Sequence, residues 1–367
     1  MLSNYPHGAR KPHQVLFKED GVGIPRTLKR RTTTKKRLDV RPRVVTLKGV
    51  AKGGTDHSPF TLYTTSLGRF YFGRSEDALE LPELRRIRGK VKLILTSPPF
   101  PLNRKKAYGN LQGSTYLHWL ASFAERLRDL LAPTGSVVLE LGNAWERGQP
   151  IFSILPMKAL LAFQEAGRFH LCQEFICYNP AKLPTPAQWV TIERVRVKDA
   201  FTRVWWMSTT PRPDADNRRV LQPYSQDMQR LLERRTYNAG TRPSEHVIRP
   251  DTFLTDHGGS IPSNVLTIAN TSSQNQYLRY CRDHKLTPHP ARMPLDLASF
   301  FVKFLTKPGD IVFDPFAGSN VTGLAAEQLK RRWIGIDSDP WYSLSSASRF
   351  PKARHLVRIH MSGRQRP

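Results

Sequence analysis

Hydrophobic and polar residues follow one another in short blocks along most of the chain, and these blocks predict strands that alternate with helices. Val91 to Leu95 is a continuous apolar run with β-branched members, which is typical of a buried strand in a parallel sheet. Tyr116 to Leu131 repeats its apolar residues at helical spacing and predicts an amphipathic helix. The same patterns predict strands at 69–73, 136–141, 172–178, 203–207, 311–313 and 333–336, and helices at 154–165, 294–305 and 321–329. This order indicates an α/β sheet with an antiparallel hairpin at one edge.

Two segments depart from the regular pattern and divide the chain. Basic residues cluster between positions 29 and 37 with few large apolar neighbours, so 1–66 is predicted to be a basic arm that is disordered when free. Periodicity fails again at 210–285, where Pro, Arg, Asn, Gln and Ser dominate and indicate a loop-rich insert. The regular domain is therefore predicted in two halves, 67–209 and 286–345, and a basic tail follows at 346–367.

The net charge of the chain indicates what class of molecule it binds. The chain has 57 Lys and Arg against 30 Asp and Glu, a formal net charge of +27. Such an excess favours a polyanion, because each phosphate neutralised by Lys or Arg releases condensed counterions. The alternative interpretation is a basic surface that serves solubility alone.

The cysteines and the apolar runs exclude several other classes. None of the three cysteines belongs to a CxxC pair, so we predict no metal site and no disulfide framework. No run approaches the ~20 apolar residues of a membrane span, and the first residues have no apolar stretch typical of a signal peptide. These features predict a cytoplasmic protein without a membrane partner.

The segment Asp314-Pro-Phe-Ala-Gly-Ser-Asn320 lies between a short predicted strand and a helix. Open α/β sheets bind nucleotides at such a junction, because small residues let the ligand approach the backbone and the helix start offers free N–H groups. Asp337 ends the next strand, where an acid can accept both hydroxyls of a ribose. Asp339 is a weaker candidate for that role. The alternative is an ordinary turn capped by Ser319.

Residues Ser97 to Phe100 (SPPF) follow the buried run that ends at Leu95. An exocyclic amine of a base is a poor nucleophile, since its lone pair is delocalised into the ring. The Ser97 hydroxyl and the Pro98 carbonyl are two acceptors that would free this lone pair, and proline rings fix their geometry. Phe100 offers a face on which an extruded base can stack. Taken alone, this tetrapeptide is a common turn. It becomes a specific functional signal only together with the nucleotide-type motif on the same sheet.

These segments resemble the β-class amino-directed DNA methyltransferases. Residues 97–100 resemble their SPP(Y/F) motif, 314–320 their DPFAGSG motif, and His289 to Pro294 the HPA-x-x-P element. The resemblance implies a Rossmann-like sheet with a circularly permuted motif order, in which the catalytic motif precedes the cofactor motif and 210–285 is a target-recognition insert. It implies S-adenosylmethionine as cofactor. The implied catalytic residues are Ser97, Pro98, Pro99 and Phe100, and the implied cofactor-binding residues are Asp314, Phe316, Gly318, Ser319, Asn320, Asp337 and His289.

The resemblance also indicates which base is methylated. Residues 96–110, 179–184 and 196–200 are similar to cytosine-N4 members, and Ser97 stands where adenine enzymes typically have Asp. This implies methylation of N4 of a flipped cytosine in double-stranded DNA, within a restriction-modification system whose endonuclease cuts the same site. Adenine-N6 methylation, RNA methylation and an inactive DNA-binding relative remain alternatives. No Pro-Cys dipeptide is present, which argues against C5-cytosine chemistry.

Two residues depart from the family motifs, and one basic segment adds a further candidate site. Asn320 replaces a common glycine, but asparagine tolerates a left-handed φ, so the turn can form. Arg74 stands where the family often has an acid; Glu76 and Asp77 are weak substitutes, and that cofactor contact is not carried over. The basic run that directly follows the catalytic loop predicts a mobile DNA-binding lid; its residues are Arg104, Lys105 and Lys106.

Overall fold

The computed structural model describes residues 43–48, 58–100, 113–269 and 276–362. Within these ranges the strands are β1 (Arg43–Lys48), β2 (Phe60–Thr64), β3 (Gly68–Phe72), β4 (Val91–Thr96), β5 (Leu131–Leu141), β6 (His170–Tyr178), β7 (Phe201–Ser208), β8 (Gly240–Thr241), β9 (Val247–Ile248), β10 (Val265–Thr267), β11 (Ile311–Asp314), β12 (Arg332–Asp337), β13 (Arg354–His355) and β14 (Val357–Ser362). The helices are α1 (Ser75–Ala78), α2 (Pro82–Arg85), α3 (Gly113–Leu130), α4 (Leu155–Ala166), α5 (Gln226–Arg234), α6 (Gln276–Asp283), α7 (Leu295–Leu305), α8 (Val321–Gln328) and α9 (Pro340–Ser346).

Ten of these strands form one sheet in the order β10-β6-β7-β5-β4-β11-β12-β3-β2-β13. Its centre, from β5 to β3, is entirely parallel, whereas β7 runs antiparallel to both β5 and β6. Two smaller pairings lie outside it, β1 with β14 and β8 with β9. The predicted α/β class with a parallel-dominated sheet is confirmed.

The centre of the sheet contains a reversal of strand order. From β4 the chain passes through α3 to β5 on one side, and from β11 it passes through α8 to β12 on the other side. The two connections therefore diverge between the adjacent strands β4 and β11. In open α/β sheets a crevice forms at the carboxyl ends of such a strand pair, and ligands bind there.

Helices cover both faces of the sheet, and the side chains of β4 show how. Leu93 and Leu95 point towards α7 and α8, whereas Ile94 points towards α3 and α4. All three are fully buried. Burial of a leucine or isoleucine side chain contributes roughly 1.5–3 kcal/mol. The apolar run that predicted this strand is thus explained by its contact with helices on both sides.

The ordered domain extends beyond both predicted boundaries. Strand β2 lies inside the range predicted as an arm, and its Leu62 and Tyr63 are fully buried. At the other end, Phe350 and Val357 of the predicted tail are also buried, and the Phe350 ring stacks on Trp333 at 4.8 Å. Both boundaries were therefore wrong, because a five-residue strand and scattered aromatic residues among basic ones give little periodic signal. The arm residues 1–42 and 49–57 lie outside the described residues.

The predicted edge hairpin and the insert are also arranged differently. Strand β7 lies inside the sheet, and β10, which belongs to the insert 210–285, forms the edge by pairing in parallel with β6. The insert also contributes α6, whose Tyr277 and Cys281 are buried. A three-residue strand is too short to show alternation, which is why the sequence did not predict it. No helix in the described ranges is long and apolar enough to cross a membrane.

The packing of Trp333 against β3 generates a stability prediction. Trp333 is 1% exposed, and a Cβ added at Gly68 would fall inside its indole ring. We expect Gly68→Ala to lower the free energy of unfolding by about 1–3 kcal/mol, the usual cost of overpacking a core. Urea denaturation measures this change, with Ser66→Ala, an exposed position on the same turn, as the control. Equal stability of the two variants would contradict the described packing.

Candidate active site

The two motifs singled out in the sequence lie side by side at the carboxyl ends of β4 and β11. These strands pair in parallel, with Leu93 opposite Val312 and Ile94 opposite Phe313. The Thr96 hydroxyl donates a hydrogen bond of 2.7 Å to Oδ1 of the Asp314 carboxylate. The SPPF loop therefore begins beside the first residue of the second motif.

A cavity of about 440 Å³ opens next to the SPPF loop. Its lining includes Ser97, Phe100, Glu140, Gly142 and, from the HPA-x-x-P element, residues 290–294. The Phe100 ring rests on the backbone of Gly142, where an added Cβ would lie 3.0 Å from two ring carbons. The ring therefore has a fixed support at one wall of a cavity that is many times larger than the ~30 Å³ of a water molecule.

Glu140 is the functional candidate that the sequence analysis missed. It lies on β5, next to β4, and its side chain is buried within the otherwise apolar run Val137 to Leu141. The Thr202 hydroxyl donates to its Oε1 at 3.2 Å, and Ser97 lines the same cavity as this carboxylate. Burial raises the pKa of Glu140 to about 7, and the neighbouring hydroxyl groups of Thr202 and Ser97 oppose this rise. The only signal in the sequence was one acid within SVVLEL.

Asp314 shapes the loop that follows β11. Its carboxylate accepts the Phe316 N–H at 3.0 Å in addition to the Thr96 hydroxyl. Burial raises the pKa of Asp314 to about 6, and the hydrogen bonds, which favour the ionised form, oppose the rise. The Phe316 ring packs against Trp119 and Phe123 of α3, with centroid distances of 5.4 and 5.1 Å. The predicted residues Asp314 and Phe316 thus join this loop to both β4 and α3.

Gly318 and Asp337 face each other across the ends of β11 and β12. The Gly318 N–H donates to Oδ2 of Asp337 at 2.8 Å. Gly318 has a φ of 51°, and a Cβ there would lie 3.0 Å from the His289 ring. Glycine is required at this turn, since any side chain would meet both a strained backbone and the imidazole. Three predicted cofactor residues, Gly318, Asp337 and His289, therefore lie together.

The two candidate acids after β12 have different surroundings. Burial raises the pKa of Asp337 to about 7; the N–H groups of Asp339 and Gly318 donate to it and oppose the rise. The carboxylate of Asp339 instead caps α9, because its Oδ1 accepts the N–H groups of Trp341 and Tyr342 at 2.9 and 3.1 Å. Asp337 therefore faces the glycine turn, while Asp339 holds the start of a helix.

Ser319 and Asn320 stabilise the loop through hydrogen bonds to neighbouring elements. Asn320 has the left-handed φ of 55° that was predicted for it, so this prediction is confirmed. Its side chain caps α8 through the Gly323 N–H at 3.1 Å and donates to the Tyr63 hydroxyl at 3.0 Å. Ser319 is buried, and its carbonyl and hydroxyl oxygens accept hydrogen bonds from the Arg349 guanidinium. Both side chains fix the course of the loop.

Arg74 and its acidic neighbour Glu76 lie close to the loop that follows β11. Arg74 is exposed and forms an ion pair of 3.5 Å with Glu76. Glu76 in turn accepts the indole N–H of Trp119 at 3.0 Å, which places this acid beside the ring that packs on Phe316. The predicted lid residues Arg104, Lys105 and Lys106 lie outside the described residues.

The fold and this arrangement of loops define the class: a Rossmann-like methyltransferase sheet, with a glycine turn and an acid on adjacent strands. The chain belongs to the DNA methylase family, whose N6/N4 model matches residues 91–347. That range contains both the SPPF loop and the Asp314–Asn320 turn.

Individual relatives support this assignment. Type II methyltransferase M.PvuII of Proteus hauseri is 44% identical over 291 residues, which cover 78% of this chain and 85% of the relative. Type II methyltransferase M.BglII of Bacillus subtilis is 23% identical over 294 residues, covering 78% and 70%. The solved structure of the PvuII DNA methyltransferase (cytosine-N4-specific) superimposes with a TM-score of 0.62 and 38% identity, covering 78% of this chain and 87% of that one.

Proposed function

We propose that this protein is a site-specific DNA methyltransferase that transfers the methyl group of S-adenosylmethionine to N4 of a flipped cytosine. The observation that carries the proposal is that Ser97, Phe100 and the buried Glu140 line one cavity at the carboxyl end of β4. The 44% identity to M.PvuII supports the choice of cytosine N4.

The residues around the glycine turn fit S-adenosylmethionine. Gly318 leaves room that a Cβ would fill, and Asp337 is a half-buried acid at the end of the next strand, suited to the ribose hydroxyls. Asp314 is a second acid nearby and is buried, and two carboxylates favour a ligand that carries a sulfonium cation. His289 lies over Gly318 and bounds the site. When bound, the cofactor supplies an activated methyl group.

Ser97 and Glu140 prepare the amine of the base. Ser97 and Glu140 line the same cavity, and we propose that the Ser97 hydroxyl donates towards Glu140, which leaves its oxygen lone pairs available to accept an N–H of the amine. The Pro98 carbonyl accepts the second N–H, so the nitrogen lone pair is freed for attack. Phe100, supported by Gly142, stacks on the ring of the base. These contacts position the nucleophile, and positioning supplies much of the rate.

Glu140 also accepts the proton that the reaction releases. After methyl transfer the nitrogen carries a positive charge and an extra proton. This proton passes to Ser97 Oγ as the serine hydroxyl proton passes to the Glu140 carboxylate, which leaves a neutral methylated amine and a neutral carboxyl group. A pKa of about 7 suits such an acceptor, because general bases work best when their pKa is near the operating pH.

Ser97 and Pro98 alone do not distinguish cytosine from adenine, since both amines offer two hydrogens to the same acceptors. The relationship to a cytosine-N4 enzyme makes adenine-N6 methylation the less favoured alternative.

Residues 210–285 are proposed to read the target sequence. Arg104, Lys105, Lys106 and the N-terminal arm are proposed to bind phosphates, in keeping with the net charge of +27. We further propose a cytoplasmic restriction-modification setting with a cognate endonuclease.

The identity of the methylated atom is tested by mass spectrometry of nucleosides from plasmid DNA incubated with the enzyme and S-adenosylmethionine. We expect N4-methylcytosine, and sequencing of the modified sites then gives the target. Ser97→Ala should reduce its formation by about 10²-fold or more, the scale of proton-transfer catalysis, while cofactor binding stays intact. Ser122→Ala, an exposed serine on α3, is the control. The appearance of N6-methyladenine, or an active Ser97→Ala variant, would contradict the proposal.

The ribose contact is tested by calorimetric titration of S-adenosylmethionine. Asp337→Asn should weaken binding by ~1–3 kcal/mol, the scale of hydrogen bonds to a charged group. In the wild type, affinity should fall as the pH drops through about 7, because Asp337 accepts hydroxyls best when ionised and its pKa is raised to about 7. Asp339→Ser keeps a capping hydroxyl at the start of α9 and is the matched control. If the Asp339 variant binds weakly and the Asp337 variant normally, the ribose acid has been misassigned.

A further inference from the structure

The loop between β6 and β7, residues 179–200, presents aliphatic side chains to solvent. Leu183, Ile192, Val195 and Val197 are exposed by 73%, 67%, 60% and 86%. Single exposed aliphatic residues are ordinary, but several within one short segment indicate an interaction surface. The fold and the proposed catalytic chemistry do not use these four side chains.

This surface is continuous with the candidate base pocket. Asn179, Lys182 and Thr185 line the pocket from the first half of the loop, and Asp199 and Ala200 line it from the second half. A nucleic acid that delivers a base into the pocket must therefore pass against this loop.

The loop is held in place by hydrogen bonds at its base. Asp199 Oδ2 accepts the Trp145 indole N–H at 3.0 Å and pairs with the Arg196 guanidinium at 3.0 Å. The Lys198 ammonium donates to the Lys182 carbonyl at 3.1 Å and so ties the two halves together. The aliphatic side chains therefore project from a loop whose backbone is held in place by these hydrogen bonds.

The charge of the loop is compatible with an anionic partner. It contains two acids, Glu193 and Asp199, against four basic residues, which are Lys182, Arg194, Arg196 and Lys198. A protein partner suited to an aliphatic patch alone would not account for this excess of basic residues, whereas a DNA backbone beside an opened base step would.

We propose that the loop is a DNA wedge, in which Leu183 and Val197 press into the duplex at the step that the target base leaves. The Lys198–Lys182 hydrogen bond brings the neighbours of these two side chains to the same end of the loop. Apolar side chains inserted at a base step offset the loss of stacking when a base is extruded. This inference rests on the proposed methylation of a flipped base in DNA.

The wedge is tested with the double variant Leu183→Ala/Val197→Ala in single-turnover methylation. Two duplexes carry the methylated site found by sequencing; in one the target cytosine is paired with guanine, and in the other it lies opposite an abasic position and needs little energy to leave the stack. We expect the variant to lose about tenfold in rate on the paired duplex and less than about twofold on the abasic duplex. Leu161→Ala, which truncates an aliphatic side chain on α4 that is 62% exposed, is the control.

Three results would overturn the wedge: equal losses on both duplexes, no loss on either, or a loss that sedimentation traces to a change in oligomeric state. A wild-type enzyme that methylates neither duplex would instead refute the proposed function. The two failures are therefore distinguishable.

Discussion

The site depends on the adjacency of β4 and β11 and on the hydrogen bond from Thr96 to Asp314 that joins their ends. These residues are 218 positions apart in the chain, yet the parallel register places the two loops that follow them side by side. In the proposed reaction, one loop carries the acceptors for a base amine, and the other carries the glycine turn for the cofactor. Methyl transfer needs both reactants within bonding distance, so this strand pair is the constraint that the rest of the sheet maintains.

Burial gives the three acids of the site their chemistry. The pKa values of Glu140, Asp314 and Asp337 are raised to about 7, 6 and 7, in each case chiefly because the carboxylate has been removed from water. The hydrogen bonds differ: the Glu140 carboxylate accepts the Thr202 hydroxyl, whereas the Asp337 carboxylate accepts backbone N–H groups. A hydroxyl can relay a proton and a backbone amide cannot, a difference that supports the proposed roles of Glu140 as proton acceptor and Asp337 as cofactor-binding residue.

The sequence predicted the elements whose periodicity is long and the motifs whose residue types are unusual. The apolar run of β4, the helix α3 and the left-handed turn at Asn320 were all predicted from local patterns. Glu140 could not be assigned in this way, because its proposed role depends on Ser97 and Thr202, which come close to it only through the pairing of β5 with β4 and β7. Strand β10 and the buried Phe350 were missed for the same reason: tertiary contacts, rather than local pattern, determine them.

The central claim is that Glu140 receives the proton of the amine through Ser97, and the pH dependence of single-turnover methyl transfer tests it most directly. With saturating cofactor and DNA, the wild-type rate should fall as the pH drops below about 7, because a protonated Glu140 cannot accept a second proton. Glu140→Gln should be slower by about 10²–10⁴-fold, the range of general-base catalysis, and should lose this dependence. A Glu140→Gln enzyme with the wild-type rate and the same pH profile would contradict the account.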